Sequence, residues 1–375
     1  MPVPEHVVIC GGGVIGAAIA YELATRGVSS TVVEADAVAS GASGAAAGII
    51  TPPLPWTTDD PLYALRRLGF DMHAEHARSL PAESGVDYGY EITPRVLLAD
   101  TADEERDARA VADRLAASGA EGGWLDTAGL FAASGWIDRA PRGGVLAESP
   151  AQVDPYRYTL ALVTAAERRG AVVRSGRVTG VVRDGNRVTG VRIGDGDRVI
   201  EGDAVVIAMG PWSAEAAAWL GVPVPVVPLK GQIVRVRPPR PLRPFSFGHG
   251  GDYVITKPDG LVFLGTTEEH VGFNREPTES ARDQIVAFAR RYTSAFDDAE
   301  VVAQTACLRP LSADGRPFVG AVPGLAGCYV ATGHGRQGIL MAPPTGRALV
   351  ELMLDGASAC LDLAQFDPGR VLAHG

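Results

Sequence analysis

The chain has 375 residues, 46% apolar and 21% charged, which excludes a disordered, collagen-like or coiled-coil protein and allows two packed cores. A formal charge of −10 repels phosphate backbones and anionic lipid, so nucleic acid and membrane surfaces are excluded as main partners. Cys10, Cys307, Cys328 and Cys360 show no CxxC spacing, the opening MPVPEH lacks a secretory pattern, and no apolar run is bilayer-length, so a reducing, cytoplasmic location is expected.

In chain order, residues 6–34 read as strand, tight turn, helix and strand. Positions 6–10 are apolar, 14–26 carry a helical period, and Gly27 stands where a helix-ending glycine belongs. The segment SGASGAAAGIITPP (40–53) is too rich in small residues for a regular packed helix and reads as built for close backbone approach. A mixed helical pattern covers 61–80, a charged amphipathic helix 102–117, and a Gly-rich loop 118–123. A helix at 156–169 ends at Gly170. Residues 171–210 then alternate short Val-rich strands with Gly, Asp and Asn turns, a β-meander feeding a buried strand. The stretch RPPRPLRP (237–244) is a stiff connection that no sheet interior accepts. Strands follow at 253–255 and 261–264, a helix at 279–293, a strand at 328–331, a glycine turn at 333–338 and a helix at 339–354, with no internal repeat.

Gly11, Gly13 and Gly16 form a GxGxxG pattern directly after a strand and at the opening of a helix. Gly11 permits the tight turn, Gly13 removes the side chain that would block a pyrophosphate, and Gly16 lets helix and strand pack closely. Backbone N–H groups and the positive helix end then meet the phosphates. Glu34 closes the second strand about 20 residues on, as an acceptor for ribose hydroxyls.

The pattern alone does not separate NAD from FAD, but three later segments favour FAD. VVIAMG (205–210), followed by PWS, is an apolar strand ending in glycine, as found where a dinucleotide domain resumes after an interruption. Val153-Asp154-Pro155 leads a helix before the meander that holds Val178. GHGRQG (333–338) sets a glycine turn at another helix N-terminus, which can stabilise negative charge on a reduced flavin.

Together with PLKGQIV, DYVITKPDGLVFLGTTEEHVGF, CLRPLSADGRPFVG and ATGHGRQGILMAPPTG, these pieces resemble the FAD-dependent D-amino-acid oxidase superfamily over nearly the whole chain. Within it they are most similar to bacterial glycine oxidases of thiamin biosynthesis. The resemblance implies an α/β fold with a Rossmann-like FAD-binding domain (1–56, 148–215, 303–375) and a mixed-sheet substrate domain (57–147, 216–302), both discontinuous, in a homo-oligomer. It implies FAD contacts from Gly11, Gly13, Val14, Ile15, Gly16, Glu34 and Ala35 in the first βαβ unit, and from Ser43, Ala46, Gly48 and Ile49 in the small-residue segment. Val178 would lie against adenine. Further contacts fall to Ala208, Gly210, Trp212, Arg309, His334, Gly335, Arg336, Gln337, Gly338 and Ile339.

For the substrate, the resemblance places Arg309 as the planar clamp on an amino-acid carboxylate, Tyr253 as a hydroxyl donor to it, and Arg336 near the flavin. It implies oxidative deamination of glycine or small D- or N-substituted amino acids to an oxo acid, ammonia or amine, and hydrogen peroxide, with oxygen as acceptor. Cys307 matches a position that binds flavin covalently in monomeric sarcosine oxidases. However, 40–56 lacks the accompanying His and Arg, so noncovalent FAD is favoured. Phe263 stands where those oxidases carry an oxygen-activating lysine, which keeps open a dehydrogenase with another acceptor, and a noncatalytic FAD-binding subunit is a third reading. Glu268 replaces an apolar residue near the pocket of some glycine oxidases. His73 and His76 read as a solvated helix face rather than a metal site, and Ser43 and Ser213 lack a GxSxG setting.

Overall fold

A computed structural model describes residues 3–139, 141–147, 149–194 and 198–374; residues 1–2, 140, 148, 195–197 and 375 lie outside them. Two large sheets organise the fold, a mixed α/β arrangement as expected. The first orders its strands Phe318–Ala321, Cys328–Thr332, Ala204–Ile207, His6–Cys10, Ser29–Glu34 and Val172–Ser175. All pair in parallel except Phe318–Ala321. Such a sheet needs cover on both faces. On one face Val7, Ile9, Val32 and Val206 meet Ile19, Leu23, Leu349 and Met353 of the helices Val14–Thr25 and Gly338–Asp355. On the other, Val8, Cys10, Val33, Val205 and Ile207 meet an antiparallel meander, Val178–Asp184, Arg187–Ile193 and Arg198–Glu201. Ala204–Ile207 is the buried strand that the meander was expected to feed, while Val172–Ser175, read as part of the meander, belongs to the parallel sheet instead.

Helix positions follow local chemistry. Asp154 accepts a hydrogen bond from the Arg157 N–H at 3.0 Å and Pro155 takes the first turn of Pro155–Glu167. Thr101 and Glu104 form a reciprocal capping box on Ala102–Ala117. The helix Tyr63–Ser84 packs through Gly69, where a Cβ would come within 2.2 Å of the Leu340 carbonyl oxygen.

The second sheet orders Glu300–Ser312, Val226–Arg237, Val262–Gly265, Asp252–Thr256, Ser246–His249, Arg95–Ala99, Gly143–Ala147 and Gly122–Asp126. Only Ser246–His249 with Arg95–Ala99 is parallel. Its two longest strands were not read from sequence. They pair from Val226 with Ser312 to Arg237 with Glu300, and Pro228 stands opposite Pro310. Neither ring can donate, and facing each other their ring nitrogens point out of the shared ladder. The expected loop at 118–123 runs into Gly122–Asp126, whose extended Gly122 and Gly123 look like turn residues by composition.

Strand alternation gives this sheet two unlike faces. Val96, Phe247, Val254, Leu264 and Val234 pack with Ile285, Ala289 and Tyr292 of the helix Glu279–Tyr292. Residues one step away, Arg95, Gly248, Tyr253, Gly265 and Ile233, point to the opposite side.

Candidate active site

That opposite side and the ends of the parallel strands enclose one cavity of about 890 Å³. Nearly every residue singled out as a cofactor contact lines it, from Gly11 and Gly13 through Ala46, Gly48 and Ile49 to Gly335 and Gly338; Val178 and Trp212 do so as well. Gly16 is the exception. Its added Cβ would lie 2.0 Å from the Gly11 carbonyl oxygen, so it brings helix and strand together rather than facing the cavity.

The first βαβ unit fits a dinucleotide. Gly11 (φ 111°) turns the chain against Ala208, whose oxygen lies 2.4 Å from where a Cβ would stand. At Gly13 a Cβ would meet only the Ser43 hydroxyl at 3.3 Å, leaving the approach to the backbone open. Ser43 in turn accepts the Val14 N–H at 2.9 Å. Glu34 accepts from Gly12 N–H at 2.6 Å and from Asp36 N–H at 2.9 Å, which fixes its carboxylate at the cavity wall with lone pairs to spare. The small-residue segment is close-packed as expected: a Cβ on Gly48 would lie 2.1 Å from the Val153 oxygen. The Gly338–Asp355 helix opens at the cavity with no side-chain cap, so its first N–H groups are available to a ligand. His334 beside it donates or accepts through Nε2 with Thr345 at 3.0 Å, while its buried Nδ1 has no partner among the described residues. Burial pushes this imidazole down to about 3, so it is neutral.

The second sheet supplies the polar wall. Arg309, 8% exposed, donates through Nη1 to the Thr267 carbonyl at 3.0 Å and through Nη2 to the Thr266 hydroxyl at 2.7 Å. Its guanidinium occupies the space above Gly231, where a Cβ would come within 2.1 Å. The Tyr253 ring likewise lies over Gly265, 2.4 Å from a Cβ there, and burial holds its phenol well above the ordinary range, hence protonated. Arg336 donates to Glu268 at 3.0 Å and to the Gly251 carbonyl at 2.8 Å. Cys307 lines the cavity opposite Gly231, its thiol pushed up by burial against the pull of Arg309.

One sequence expectation is overturned. His73 and His76 are buried, not solvated: His73 Nε2 donates to the Ile339 carbonyl at 2.9 Å and His76 Nδ1 bonds the Tyr158 hydroxyl at 2.8 Å. No cluster of His, Cys, Asp and Glu that could hold a metal occurs among the described residues. Phe263 packs behind Ala47 and Ile49 with Ile233, and a lysine does stand beside it: Lys257 Nζ lies 5.2 Å from the ring. Lys257 donates to the carbonyls of Ala47 and Val153 and is pushed down by burial to about 8. Lys257 stands inside the DYVITKPDG stretch but was not singled out there, and Arg95, a cavity residue, carried no sequence signal because no motif surrounds it. No helix among the described residues is long and apolar enough to cross a membrane.

A glycine-rich βαβ cradle on a parallel sheet, sharing its cavity with the polar face of a second sheet, defines a two-sheet dinucleotide-dependent protein. The chain matches the FAD dependent oxidoreductase family over residues 6–352 and belongs to it. It is 33% identical to a glycine oxidase of Pseudomonas aeruginosa over 98% of this chain and 100% of the relative. The solved glycine oxidase of Geobacillus kaustophilus superposes with a TM-score of 0.90 at 30% identity, covering 98% of both chains. The iminodiacetate oxidase of Chelativorans sp. BNC1 follows at 0.86 and 25% identity, covering 96% of this chain and 98% of the other.

Proposed function

We propose that the chain oxidises the Cα–N bond of glycine and small D- or N-substituted amino acids. The observation that carries this is Arg309, a buried guanidinium anchored by Thr266 and Thr267 in the same cavity as the glycine-rich cradle. Relatives named as glycine and iminodiacetate oxidases act on a primary and a secondary amine of the same α-amino-acid pattern. When bound, FAD supplies the two-electron acceptor for the Cα–H hydride.

The protein's part is placement. Each Nη of Arg309 spends one proton on its anchor and keeps another, enough for a bidentate carboxylate. Tyr253, kept protonated by burial, donates its O–H to the same carboxylate. A substrate held there by one end turns its Cα–H toward the first turn of Gly338–Asp355 and the 46–49 segment. An amine that enters neutral drives hydride departure with its own lone pair, so no side-chain base is required. Hydrolysis of the imino acid gives the oxo acid and ammonia or amine. Oxygen takes two electrons and two protons as hydrogen peroxide.

This reading includes noncovalent FAD held by residues 1–56, 148–215 and 303–375, and a substrate part from 57–147 and 216–302. All six strands of the parallel sheet fall in the first set, while Glu300–Ser312 crosses the boundary at 303 and joins the second sheet. It also includes a homo-oligomer, which sedimentation velocity tests. For the activity, glycine, sarcosine and D-alanine are mixed anaerobically with the holoenzyme. Bleaching of the oxidised flavin band, with peroxide formed on admitting air, is expected; no bleaching by any of the three rejects the substrate class. Bleaching without peroxide would assign the electrons to another acceptor.

A further inference from the structure

Among the charged side chains of the cavity, Arg95 is not used by this reading. Arg95 stands on the strand Arg95–Ala99, beside Ser246–His249, and lines the cavity. Its guanidinium lies over Gly248, where a Cβ would come within 2.6 Å of Nη2, and Gly248 is paired in register with Tyr253. Nη1 is buried and has no hydrogen-bond partner among the described residues. The carboxylates nearest in sequence to its neighbours are engaged elsewhere: Asp252 accepts the Thr266 N–H at 2.9 Å and Glu268 accepts from Arg336 at 3.0 Å. Burial pushes Arg95 down to about 10, with Arg336 adding repulsion, yet it stays charged at neutral pH. A buried guanidinium without a counter-charge is costly, and a ligand that supplies one is bound accordingly.

Across the sheet the arrangement repeats. Arg309, Tyr253 and Arg95 each lie over a glycine of the neighbouring strand, Gly231, Gly265 and Gly248 respectively. The geometry points to Arg95 as a second anion site, taking the distal carboxylate of a dicarboxylic amino acid whose α-carboxylate is held by Arg309. This rests on the amino-acid oxidation proposed above and narrows its substrate class. The strands of Gly231 and Gly248 are three spacings apart, which with their offset along the strands puts the two guanidinium seats on the order of 15 Å apart. Hydrogen bonds of about 2.8 Å at each end leave on the order of 9 Å between the outer carboxylate oxygens, a span longer than glutamate's and matched by an extended 2-aminoadipate or 2-aminopimelate.

The test uses the FAD-loaded full chain, native and Arg95→Met. Specificity is read as kcat/KM for D-2-aminoadipate, D-2-aminopimelate and N-(3-carboxypropyl)glycine relative to glycine. Binding is read separately by titrating pimelate and heptanoate against the oxidised flavin spectrum. In the native protein pimelate is expected to bind at least about tenfold more tightly than heptanoate, and Arg95→Met to lower both that preference and the dicarboxylate-to-glycine ratio by about tenfold or more. Equal binding of the two acids by the native protein, or an unchanged ratio in the variant, overturns the assignment. Should the methionine variant not fold, Arg95→Lys, which keeps the charge but not the fork, is expected to reduce the same preference, and an unchanged preference overturns it. If no amine bleaches the flavin, the oxidation reading fails, while the pimelate titration still decides on Arg95.

Discussion

Arg309 and Cys307 are two residues apart on one strand, face the same cavity, and invite opposite experiments. Truncating Arg309 removes a bidentate, charge-assisted contact worth about 2 kcal/mol, so Arg309→Ala should raise the KM for glycine roughly thirtyfold or more. The flavin spectrum of the purified variant should persist, because the cradle at Gly11–Gly16 lies on the other sheet. An unchanged KM would reject the clamp. Cys307 carries no thiolate at neutral pH, since burial outweighs the neighbouring arginine. Acid precipitation of the holoenzyme should therefore leave FAD in the supernatant. Yellow protein in the pellet, with a flavin-bearing peptide on digestion, would instead assign the covalent bond that the sequence left open.

At the scale of elements, the cradle was legible because its chemistry is local. Strand, GxGxxG and acid lie within one βαβ unit, and each glycine answers to a close backbone approach. The polar wall was legible only through resemblance. Arg309 sits in a thirteen-residue strand interrupted by a proline, and no period-2 pattern in CLRPLS announces it. Arg95 was missed altogether, since its role depends on Gly248, about 150 residues away, being a glycine. The buried histidines were misread for a similar reason: the outer face of Tyr63–Ser84 is polar by composition, but Tyr158 and the Ile339 carbonyl supply partners from distant helices. That same helix carries a prediction. Gly69 admits the Leu340 carbonyl, in the turn of Gly338–Asp355 that lines the cavity. Gly69→Ala should push this turn by overpacking, at a cost of about 1–3 kcal/mol. Both the melting temperature and FAD retention on gel filtration should fall. A lowered melting temperature with undiminished FAD affinity would show that the turn does not meet the cofactor.

For the whole molecule, the consequence of burying so many neutral imidazoles is a dependence of stability on pH. His73 is pushed down to about 4, and His76 and His334 to about 3, all chiefly by desolvation. In the unfolded chain each returns to about 6.5. Between those values the unfolded state binds more protons than the folded one, so stability rises with pH and is lost as pH falls. Each histidine contributes up to about 1.4 kcal/mol per pH unit in that window, while buried Lys257, at about 8, acts in the same direction at alkaline pH. Acid-side carboxylates such as Asp314, held down at about 2 by Arg370 and Arg316 against the cost of burial, release their contribution only at lower pH. Urea unfolding with FAD in fixed excess should accordingly show its midpoint falling from pH 6.5 to 4.5, before depressed carboxylates such as Asp314 give up their contribution and against a smaller opposing one from Glu22 and Asp252, whose carboxyls burial pushes up. A flat profile across that range would mean that the three imidazoles are not buried neutral. The helix packing around His73 and His76, which braces the turn at the cavity, would then differ from the one described.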